Sequence, residues 1–481
     1  MEVVGRKQVT RILDQLMLSK QPEFLAVYGR RRVGKTYLIR QYFADVLVFD
    51  FSGAYQAETS TQQYNFHKEL IRVFPTAESR PVPKSWEEAF QNLADYLYSI
   101  EDQNQKMVVF LDEIPWLDKA RSGFLSSLEY FWNQHGSKMQ KLILVGCGSA
   151  AFWMIQNMLE AKGGLYRRIT KSIELLPFSL CETEMYFEYL GLSYTKYQII
   201  QLYMALGGIP FYLKMIPRGS SVTQAIDALF FAPNAPLANE FEPLYHSLFA
   251  NGKEAIEIGE ALSGKIYGLT QAEILKQVSV AAGGSFSRIL KSMIDCAFIE
   301  MITPYGKKKK DSIYRLTDFF THFYIKFVKD SPKGRANTWE SYASSSAFMA
   351  WTGYAFENIC LLHMPQIHQK LGIQGVYTEI SSWRFSGNEE IPGAQVDLII
   401  DRKDGIIHLC EAKFSNNEFV ISKDYNTKLR QKRASFQHVT KTKKQVVTTL
   451  MTTYPAMRNK YYLEEIHTEV TIDDLFVDFI N

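Results

Sequence analysis

The sequence predicts an α/β fold that begins with a doubly wound parallel sheet. Short apolar runs typical of buried strands alternate with helical stretches over the first 180 residues; they occupy residues 24–28, 46–51, 107–111, 142–146 and 172–178. The chain also has 481 residues, more than one ordinary core holds, so we expect two or three domains in all. In open sheets of this kind ligands bind beyond the carboxyl ends of the strands, so the residues after each run are the first candidates for function.

The composition excludes several classes of protein. Hydrophobic residues make up 46% and charged residues 22%, as in a chain that folds throughout. The formal net charge is only +3, so a surface for a polyanion must come from local clusters of basic residues. We find no apolar run of about 18 residues, no secretory leader, and no cysteine spacing typical of zinc or disulfides. We therefore expect a cytoplasmic protein without membrane contact.

The first run is followed by GRRRVGKT, residues 29–36, which has the form GxxxxGK[ST] between a strand and a helix. Loop amides and a helix N-terminus in this context surround phosphate oxygens. We expect Gly29 and Gly34 to shape the loop, Lys35 to reach the β- and γ-phosphates, and the Thr36 hydroxyl to bind Mg²⁺. The motif predicts that the chain binds ATP and ADP.

Polar residues follow the later runs of the predicted sheet. Asp112 and Glu113 end the third run, where Asp112 can hold the Mg²⁺ shell and Glu113 can polarise the attacking water. Ser149 follows the fourth run and could sense the γ-phosphate, although small residues there are also ordinary turn residues. Arg167 and Arg168 precede the fifth run; either is a surface arginine or stabilises the phosphoryl group, in its own chain or in a neighbour's. Together these residues predict Mg²⁺-dependent ATP hydrolysis.

Residues 181–250 read as a helical lid. Amphipathic helical stretches lead to the turn GGIP at residues 207–210, which could simply separate two helices. With the upstream P-loop, this turn resembles that of prokaryotic STAND-type, AAA-like P-loop ATPases. The resemblance implies that Gly208 and Pro210 approach the adenine, and that Gly5 and Arg6 belong to a motif that this family carries near its N-terminus.

Residues 251–330 have the outline of a winged helix. A capping box at TQAE, residues 270–273, opens one helix, and SFSRILKSMID places apolar residues on one face of the next. Two strands then follow, joined by a basic turn at residues 307–310. A winged helix could contact DNA phosphates through this turn, or the lysines could be a solvated tip on a packing arm.

A polar stretch at residues 331–346 is a plausible linker to the last domain, residues 346–481. There QVDLIIDRKDGIIHLCEAKF reads as a hairpin. A three-residue loop at residues 403–405 would place Asp397 opposite Glu411, with Lys413 on the same face. A two-residue loop would instead pair Asp397 with Ala412 and turn Glu411 to the other face.

Two carboxylates side by side repel each other unless a cation lies between them, and oxygen ligands suit Mg²⁺ or Mn²⁺. An Asp followed by Glu-x-Lys on the next strand resembles the PD-(D/E)XK nuclease superfamily, which has a restriction-endonuclease-like α/β fold. The resemblance implies that Asp397, Glu411 and Lys413 are the catalytic set and that Glu357, on the preceding helix, is an auxiliary metal ligand. Val396 stands where the family name has Pro. The alternative is a satisfied salt bridge in an inactive domain.

A basic segment follows the hairpin, with eight Lys or Arg between residues 423 and 444. These residues could meet phosphates beside the carboxylates or form a solvated face. Nearly the whole chain resembles bacterial and archaeal ATP-binding proteins in which a P-loop ATPase (residues 1–180), a helical lid and a winged helix precede a nuclease-like domain. Our main interpretation is an ATPase coupled to a metal-dependent nuclease that acts on nucleic acid. The alternative is a nucleotide-driven switch or scaffold, and either could include a homo-oligomer or a protein partner.

Overall fold

The computed structural model describes residues 3–101, 105–160, 167–265, 267–331, 334, 338–342 and 345–478. The chain divides into two compact units, Met1–Leu176 and Pro177–Ile480. The first boundary lies close to the predicted one at residue 180. The predicted lid, winged helix and C-terminal domain all fall in the second unit, so their separate boundaries stay predictions. Much of the predicted linker, at residues 332–333, 335–337 and 343–344, lies outside the described residues.

The first unit is an α/β layer structure. Its elements are α1 (Lys7–Leu18), β1 (Glu23–Tyr28), α2 (Lys35–Tyr42), β2 (Leu47–Ser52), α3 (Thr59–Val73), α4 (Trp86–Ile100), β3 (Met107–Asp112), α5 (Ile114–Leu117), α6 (Phe124–Gln134), β4 (Leu142–Gly148), α7 (Ala151–Met154) and β5 (Lys171–Glu174). The five strands form one parallel sheet in the order β2-β3-β4-β1-β5. The predicted parallel sheet is therefore confirmed.

Burial explains why the central strands are apolar along their whole length. Every residue of β3 and β4 is buried, because helices cover both faces of the sheet. Phe66 of α3, Trp86 and Phe90 of α4, and Phe124 of α6 pack edge to face in the core beside the sheet. A rigid sheet of this kind fixes the positions of the loops at its carboxyl edge.

The second unit begins with helices. Up to residue 370 its elements are α8 (Leu180–Leu190), α9 (Lys196–Leu206), α10 (Pro210–Leu213), α11 (Val222–Ile226), α12 (Phe241–Leu248), α13 (Gly252–Ser263), β6 (Leu269–Thr270), α14 (Gln271–Leu275), α15 (Gly284–Asp295), β7 (Ile299–Ile302), β8 (Ile313–Leu316), α16 (Phe319–Phe323), α17 (Thr338–Tyr342), α18 (Ser346–Leu362) and α19 (Met364–Lys370). Strands β6, β8 and β7 form an antiparallel sheet. The predicted capping box is present, with the Thr270 hydroxyl accepting from the Glu273 N–H. The assignment of this region as a winged helix stays a prediction.

The chain ends in a mixed sheet. Its elements are β9 (Thr378–Phe385), β10 (Ala394–Arg402), β11 (Ile406–Lys413), α20 (Lys423–Thr440), β12 (Gln445–Thr452), α21 (Lys460–Glu465), β13 (Ile466–Thr471) and α22 (Ile472–Leu475). The strand order is β13-β12-β11-β10-β9, antiparallel from β9 to β11 and parallel from β11 to β13. Helix α20 packs on this sheet through Phe436 and Leu429.

The hairpin between β10 and β11 has the three-residue loop. Leu398 pairs with Cys410 and Asp401 with Ile407, and Gly405 in the loop has a φ of 97°. Continuing the same register by one residue places Asp397 opposite Glu411. The alternative pairing of Asp397 with Ala412 is therefore wrong. Among the residues that the structure describes, no helix combines the length and apolar character that a bilayer span requires.

Candidate functional site

The P-loop joins β1 to α2 in the first unit. Gly29 has a φ of 140°, and a Cβ atom there would lie 2.3 Å from the Leu175 carbonyl oxygen, so only glycine fits this close approach. Gly34, with a φ of 94°, directly precedes the first turn of α2. Arg6 is buried and donates to the Val33 carbonyl at 3.2 Å. Arg6, which the resemblance assigns to an N-terminal motif, thus holds the P-loop at Val33.

Lys35 is buried in the first turn of α2 and its ammonium group has three acceptors. It donates to the Gly29 carbonyl at 2.8 Å, to the Arg30 carbonyl at 3.0 Å and to the Ser149 hydroxyl at 3.0 Å. An ammonium has three donors, so these partners satisfy it fully. The arrangement keeps a buried cation inside the loop that is expected to receive phosphates.

Thr36 and Asp112 meet at the carboxyl edge of the sheet. The Thr36 hydroxyl donates to Asp112 Oδ2 at 2.7 Å, and Asp112 Oδ1 accepts the Glu113 N–H at 3.0 Å. The Ser52 hydroxyl, at the end of β2, lies 3.4 Å from the same Asp112 Oδ2. Because hydroxyl and carboxylate oxygens are the ligands that Mg²⁺ prefers, these side chains fit a bound Mg²⁺ beside the phosphates.

Glu113 and Ser149 form a second contact at this edge. Glu113 accepts from the Ser149 N–H at 3.0 Å and from its hydroxyl at 2.5 Å. Since Ser149 also accepts from Lys35, a continuous chain of hydrogen bonds links the P-loop lysine to the glutamate. Glu113 has a φ of 50°, a left-handed conformation that is uncommon outside glycine and is often found at functional sites.

Arg167 and Arg168 lie just before β5. Strand β5 runs parallel to β1 with Lys171 beside Leu25, near the start of β1, whereas the P-loop follows Tyr28 at the other end. Arg168 therefore lies at the amino edge of the sheet, and the prediction that it binds the nucleotide of its own chain is wrong. A role at a neighbouring molecule stays a prediction. Residues 163–166 of the same predicted segment lie outside the described residues.

Gly208 and Pro210 lie in the second unit. Pro210 begins the short helix α10, where its missing N–H costs no hydrogen bond. Gly208 accepts from the Phe178 N–H at 2.8 Å, which ties the turn to the start of this unit. The predicted contact of these residues with adenine stays a prediction.

In the C-terminal sheet, Glu411 is enclosed by two lysines. Its Oε1 lies 2.9 Å from Lys413 Nζ and its Oε2 lies 2.7 Å from Lys432 Nζ. Burial acts to raise the pKa of Glu411, but the two lysines together outweigh it and the pKa is lowered. Glu411 is therefore an ionised carboxylate, and each of its two oxygens is paired with a lysine. Lys413 lies beside Glu411, as predicted.

Glu357 and Asp397 are held by other groups. Arg315 of β8 is buried, bonds Glu357 Oε2 at 2.7 Å and lies over the Tyr354 ring, while Gln395 donates to Asp397 Oδ1. Burial, together with the Asp397 carboxylate, raises the pKa of Glu357 to about 7, although Arg315 opposes this. Burial also raises the pKa of Asp397. The two acids and Arg315 line one small cavity between α18 and the sheet.

These contacts decide how well a metal fits. Asp397 and Glu411 offer oxygen ligands on one face, as Mg²⁺ or Mn²⁺ would require. However, Lys413 and Lys432 occupy both oxygens of Glu411, and within the described ranges no group of three or more His, Cys, Asp or Glu is arranged to hold a metal. The predicted set Glu357, Asp397 and Glu411 therefore does not fit a metal ion unless a lysine moves.

Fewer basic residues of the segment 423–444 are available to bind phosphates than the sequence predicts. Tyr425, Leu429, Phe436 and Val439 of α20 pack inward as predicted. The expectation that all eight basic residues face outward to phosphates is wrong, because half of them form ion pairs: Lys432 with Glu411, Arg430 with Glu464, Arg433 with Glu465, and Lys444 with Asp401.

Sequence reasoning missed Arg315, Gln395 and Lys432 as site residues. Arg315 carried a usable signal, since it is a lone charge in the apolar strand IYRL and must find a partner when buried. Lys432 and Gln395 carried none, because their contacts depend on how α20 packs and on the bulge between Val396 and Ile399 in the pairing with β9.

Comparisons with known proteins find a family of ATPase domains and one relative that aligns over most of the chain. Residues 4–216 match the family model described as an ATPase domain predominantly from Archaea. An uncharacterised protein of Methanocaldococcus jannaschii is 22% identical over 406 residues, which cover 82% of this chain and 83% of the relative.

Solved structures with a similar arrangement include two archaeal proteins. The Walker-type ATPase PABY2304 of Pyrococcus abyssi has a TM-score of 0.48 at 17% identity, over 67% of this chain and 96% of that one. The ORC2 protein of Aeropyrum pernix, solved as ADPNP–ADP complexes, has a TM-score of 0.41 at 13% identity, over 70% and 94% of the two chains. Residues 4–216 are thus similar to ATPase domains that are found predominantly in Archaea.

Proposed function

We propose that the first unit binds ATP with Mg²⁺ and hydrolyses it. The observation that supports this best is the single hydrogen-bond network that joins Lys35, Thr36, Asp112, Glu113 and Ser149 at the carboxyl edge of the sheet. These five side chains come at or after the ends of three different strands, β1, β3 and β4, and only the folded sheet brings them together.

Each of these residues has the role in binding or hydrolysis that its side-chain chemistry allows. Lys35 exchanges its carbonyl partners for phosphate oxygens, and Thr36 and Asp112 hold the Mg²⁺, which supplies positive charge to the β- and γ-phosphates. Glu113 orients and accepts a proton from the attacking water, for which it must leave Ser149. Ser149 then donates its hydroxyl to the γ-phosphate, and this is its sensor role.

Two variants test binding and hydrolysis separately. Lys35→Ala should abolish ATP binding or its productive geometry, whereas Glu113→Gln should bind ATP normally and lose about 10²- to 10⁴-fold in kcat, since only Glu113 acts on the water. Calorimetry measures binding and phosphate release measures turnover. Wild-type binding and turnover in Lys35→Ala would refute the proposal.

The C-terminal domain is the second candidate: a metal-dependent nuclease acting on nucleic acid. The β10–β11 register supports it, because it places Asp397, Glu411 and Lys413 on one face. The lysine contacts of Glu411 instead favour the alternative, a nucleotide-driven switch or scaffold whose C-terminal fold binds DNA or protein without cutting.

A cleavage assay separates these two functions. Labelled single and double strands are incubated with Mg²⁺ or Mn²⁺, with and without ATP. For a nuclease, Asp397→Asn and Glu411→Gln should each remove nearly all cleavage, while Lys413→Ala lowers the rate, because a cation near the scissile phosphate stabilises charge in the transition state. Nucleic-acid binding without cleavage under every condition would establish the scaffold function.

A further inference from the structure

The backbone of Glu113 needs support from its surroundings. Glu113 has a φ of 50° and a ψ of 47°, a left-handed conformation that costs free energy for any residue with a Cβ atom. Such a conformation persists only where neighbouring groups hold it. Here the neighbours are the loop after β2, at residues 53–58, and the short helix α5. A buried glutamine of α3 joins these two segments.

Gln62 of α3 uses every polar group of its side chain for this link. Its Oε1 accepts the Ala54 N–H at 3.0 Å, and its Nε2 donates to the Ala54 carbonyl at 2.7 Å and to the Trp116 carbonyl at 3.3 Å. Gln62 is only 1% exposed, so water does not readily replace a bond that is lost. We name this arrangement, in which one amide joins Ala54 to Trp116, the Gln62 clamp.

The Gln62 clamp reaches Glu113 from two sides. The Trp116 N–H donates to the Glu113 carbonyl at 2.9 Å, while the carbonyl of Trp116 is held by Gln62. In the loop after β2, the Gly53 N–H donates to the Asp112 carbonyl at 2.9 Å. A Cβ atom at Gly53 would lie 2.8 Å from the Glu113 carbonyl oxygen. The backbone of the glutamate is therefore enclosed between the two segments that the clamp joins.

Two contacts near the surface join the same segments. The rings of Tyr55 and Trp116 pack edge to face with their centroids 5.4 Å apart, and Lys119 Nζ donates to the Gln56 carbonyl at 3.4 Å. Tyr55 is exposed and Lys119 is partly exposed. Because the hydrogen bonds of Gln62 are shielded from water, we expect Gln62 to contribute most to the rigidity of the pair.

We propose that Gln62 is a positioning residue for ATP hydrolysis: it holds the Glu113 backbone in the left-handed conformation and thereby directs the carboxylate towards the attacking water. When Glu113 leaves Ser149, its side chain turns about this fixed backbone, so the clamp determines where the carboxylate arrives. Gln62 bonds only backbone groups of the two segments, and we therefore expect it to affect turnover and not ATP affinity. This inference rests on the proposed ATPase function.

The first test removes the clamp. Gln62→Met has a similar length but cannot form the three hydrogen bonds. Calorimetry should show wild-type affinity for ATP with Mg²⁺, whereas kcat should fall about 10- to 100-fold, as expected for a small misplacement of a catalytic group. Gln63→Met is the matched control, because Gln63 is the next residue of α3 and also buried, and within the described part of the chain its amide bonds neither segment. It should keep the wild-type kcat.

A double-mutant cycle then asks whether Gln62 acts through Glu113. Single-turnover phosphate release is measured for Gln62→Met, for Glu113→Gln and for the protein with both changes. Gln62→Met should slow the wild type about 10- to 100-fold but slow the Glu113→Gln protein by less than about twofold. A residue that only stabilised the fold would slow both proteins alike.

Gly53→Ala disturbs Glu113 without changing Gln62. The added Cβ atom would meet the Glu113 carbonyl oxygen at 2.8 Å, so the backbone there must shift. We expect a lower kcat with ATP affinity retained, as for Gln62→Met. Urea unfolding shows whether each variant is folded in the assay, and Gly53→Ala decides the question if Gln62→Met does not fold.

The outcomes separate the clamp from the ATPase proposal. A wild-type kcat in Gln62→Met and Gly53→Ala would refute the positioning role, and so would equal slowing by Gln62→Met with and without the Glu113 carboxylate. Lost ATP affinity at an unchanged kcat would refute it as well. In each of these cases the ATPase proposal still stands if Glu113→Gln is inactive. Wild-type turnover in Glu113→Gln would instead refute the proposed role of Glu113, and the clamp with it.

Discussion

At the scale of single residues, the sequence identified reactive side chains better than it identified their partners. Lys35, Asp112 and Glu113 could be found because their motif fixes both residue type and neighbouring element. Lys432 and Arg315, by contrast, act through contacts between elements far apart in the chain, and no local pattern encodes such contacts. Both of these missed residues neutralise a carboxylate, Glu357 and Glu411 respectively.

Asp112 gives a prediction about Mg²⁺. Its Oδ2 accepts from Thr36, so Asp112→Asn keeps a similar shape but removes the charge that would hold Mg²⁺. We expect the variant to bind ATP in Mg²⁺ with only the affinity that the wild type shows in EDTA. Calorimetry in both buffers checks this, with Thr36→Ser, which keeps the hydroxyl, as the control. Equal gains from Mg²⁺ in wild type and Asp112→Asn would contradict it.

His363 gives a prediction about pH. Its Nε2 accepts the Leu180 N–H at 3.1 Å and its Nδ1 lies 2.8 Å from the Ile359 carbonyl, so the buried ring is a neutral tautomer. Burial lowers the pKa of His363 to about 4, although the Ile359 carbonyl opposes this. The pKa of this histidine in the unfolded chain is about 6.5. Below that pH the unfolded chain protonates His363, whereas the folded chain keeps it neutral until the pH approaches 4. Stability from this group is therefore full above pH 6.5 and falls as the pH drops towards 4.

The slope should be about 1.4 kcal/mol per pH unit within this window. His363→Gln cannot take up the proton, so its stability deficit relative to wild type should shrink as the pH falls from 6.5 to 4. Urea unfolding at several pH values measures the difference, and His438→Gln, at an exposed position on α20, controls for the loss of a histidine. A deficit that does not depend on pH would contradict the assignment.

At the scale of elements, the residues of the turn determine the pairing register of β10 and β11, which the hydrophobic pattern alone does not. Consecutive residues are buried in both strands, so the apolar pattern does not choose between the two loop lengths, yet only the three-residue loop places Asp397 and Glu411 on one face. Gly405, with its positive φ, permits that loop. The bulge between Val396 and Ile399 had no such signal, because neither residue is a glycine or a proline.

Two glycines test the importance of this turn. A Cβ atom at Gly405 or at Gly353 would meet no neighbouring atom within 4 Å, but only Gly405 has a positive φ, of 97°. Gly405→Ala should therefore lower the free energy of unfolding by about 1–2 kcal/mol through backbone strain alone. Gly353→Ala, in the middle of α18, should raise it by about 0.5–1 kcal/mol. Urea unfolding compares them, and equal effects of the two variants would show that φ does not control the hairpin.

At the scale of the whole molecule, the sequence predicted the first unit more completely than the second. In the first unit the apolar strand runs, the strand-to-helix motif and the parallel sheet all indicate the same fold. In the second unit the β7–β8 and β10–β11 hairpins were predicted, whereas β6 and the parallel pairing of β11, β12 and β13 were not. The contacts of this unit were not predicted either, because Arg315 of β8 and Glu357 of α18 lie 42 positions apart in sequence.

The two candidate sites are each assembled from within one unit, and this leads to the last prediction. The P-loop network uses residues between Arg6 and Leu175, whereas the carboxylate contacts use residues between Arg315 and Lys432. Effects of changes at sites that share no partner add to within about 0.3–0.5 kcal/mol, or roughly twofold in affinity. Without nucleic acid, Asp397→Asn and Lys432→Gln should therefore leave ATP affinity and phosphate release within about twofold of wild type. Likewise, Lys35→Ala should leave duplex affinity without ATP unchanged, and a tenfold effect in either direction would show that the sites communicate even without their ligands.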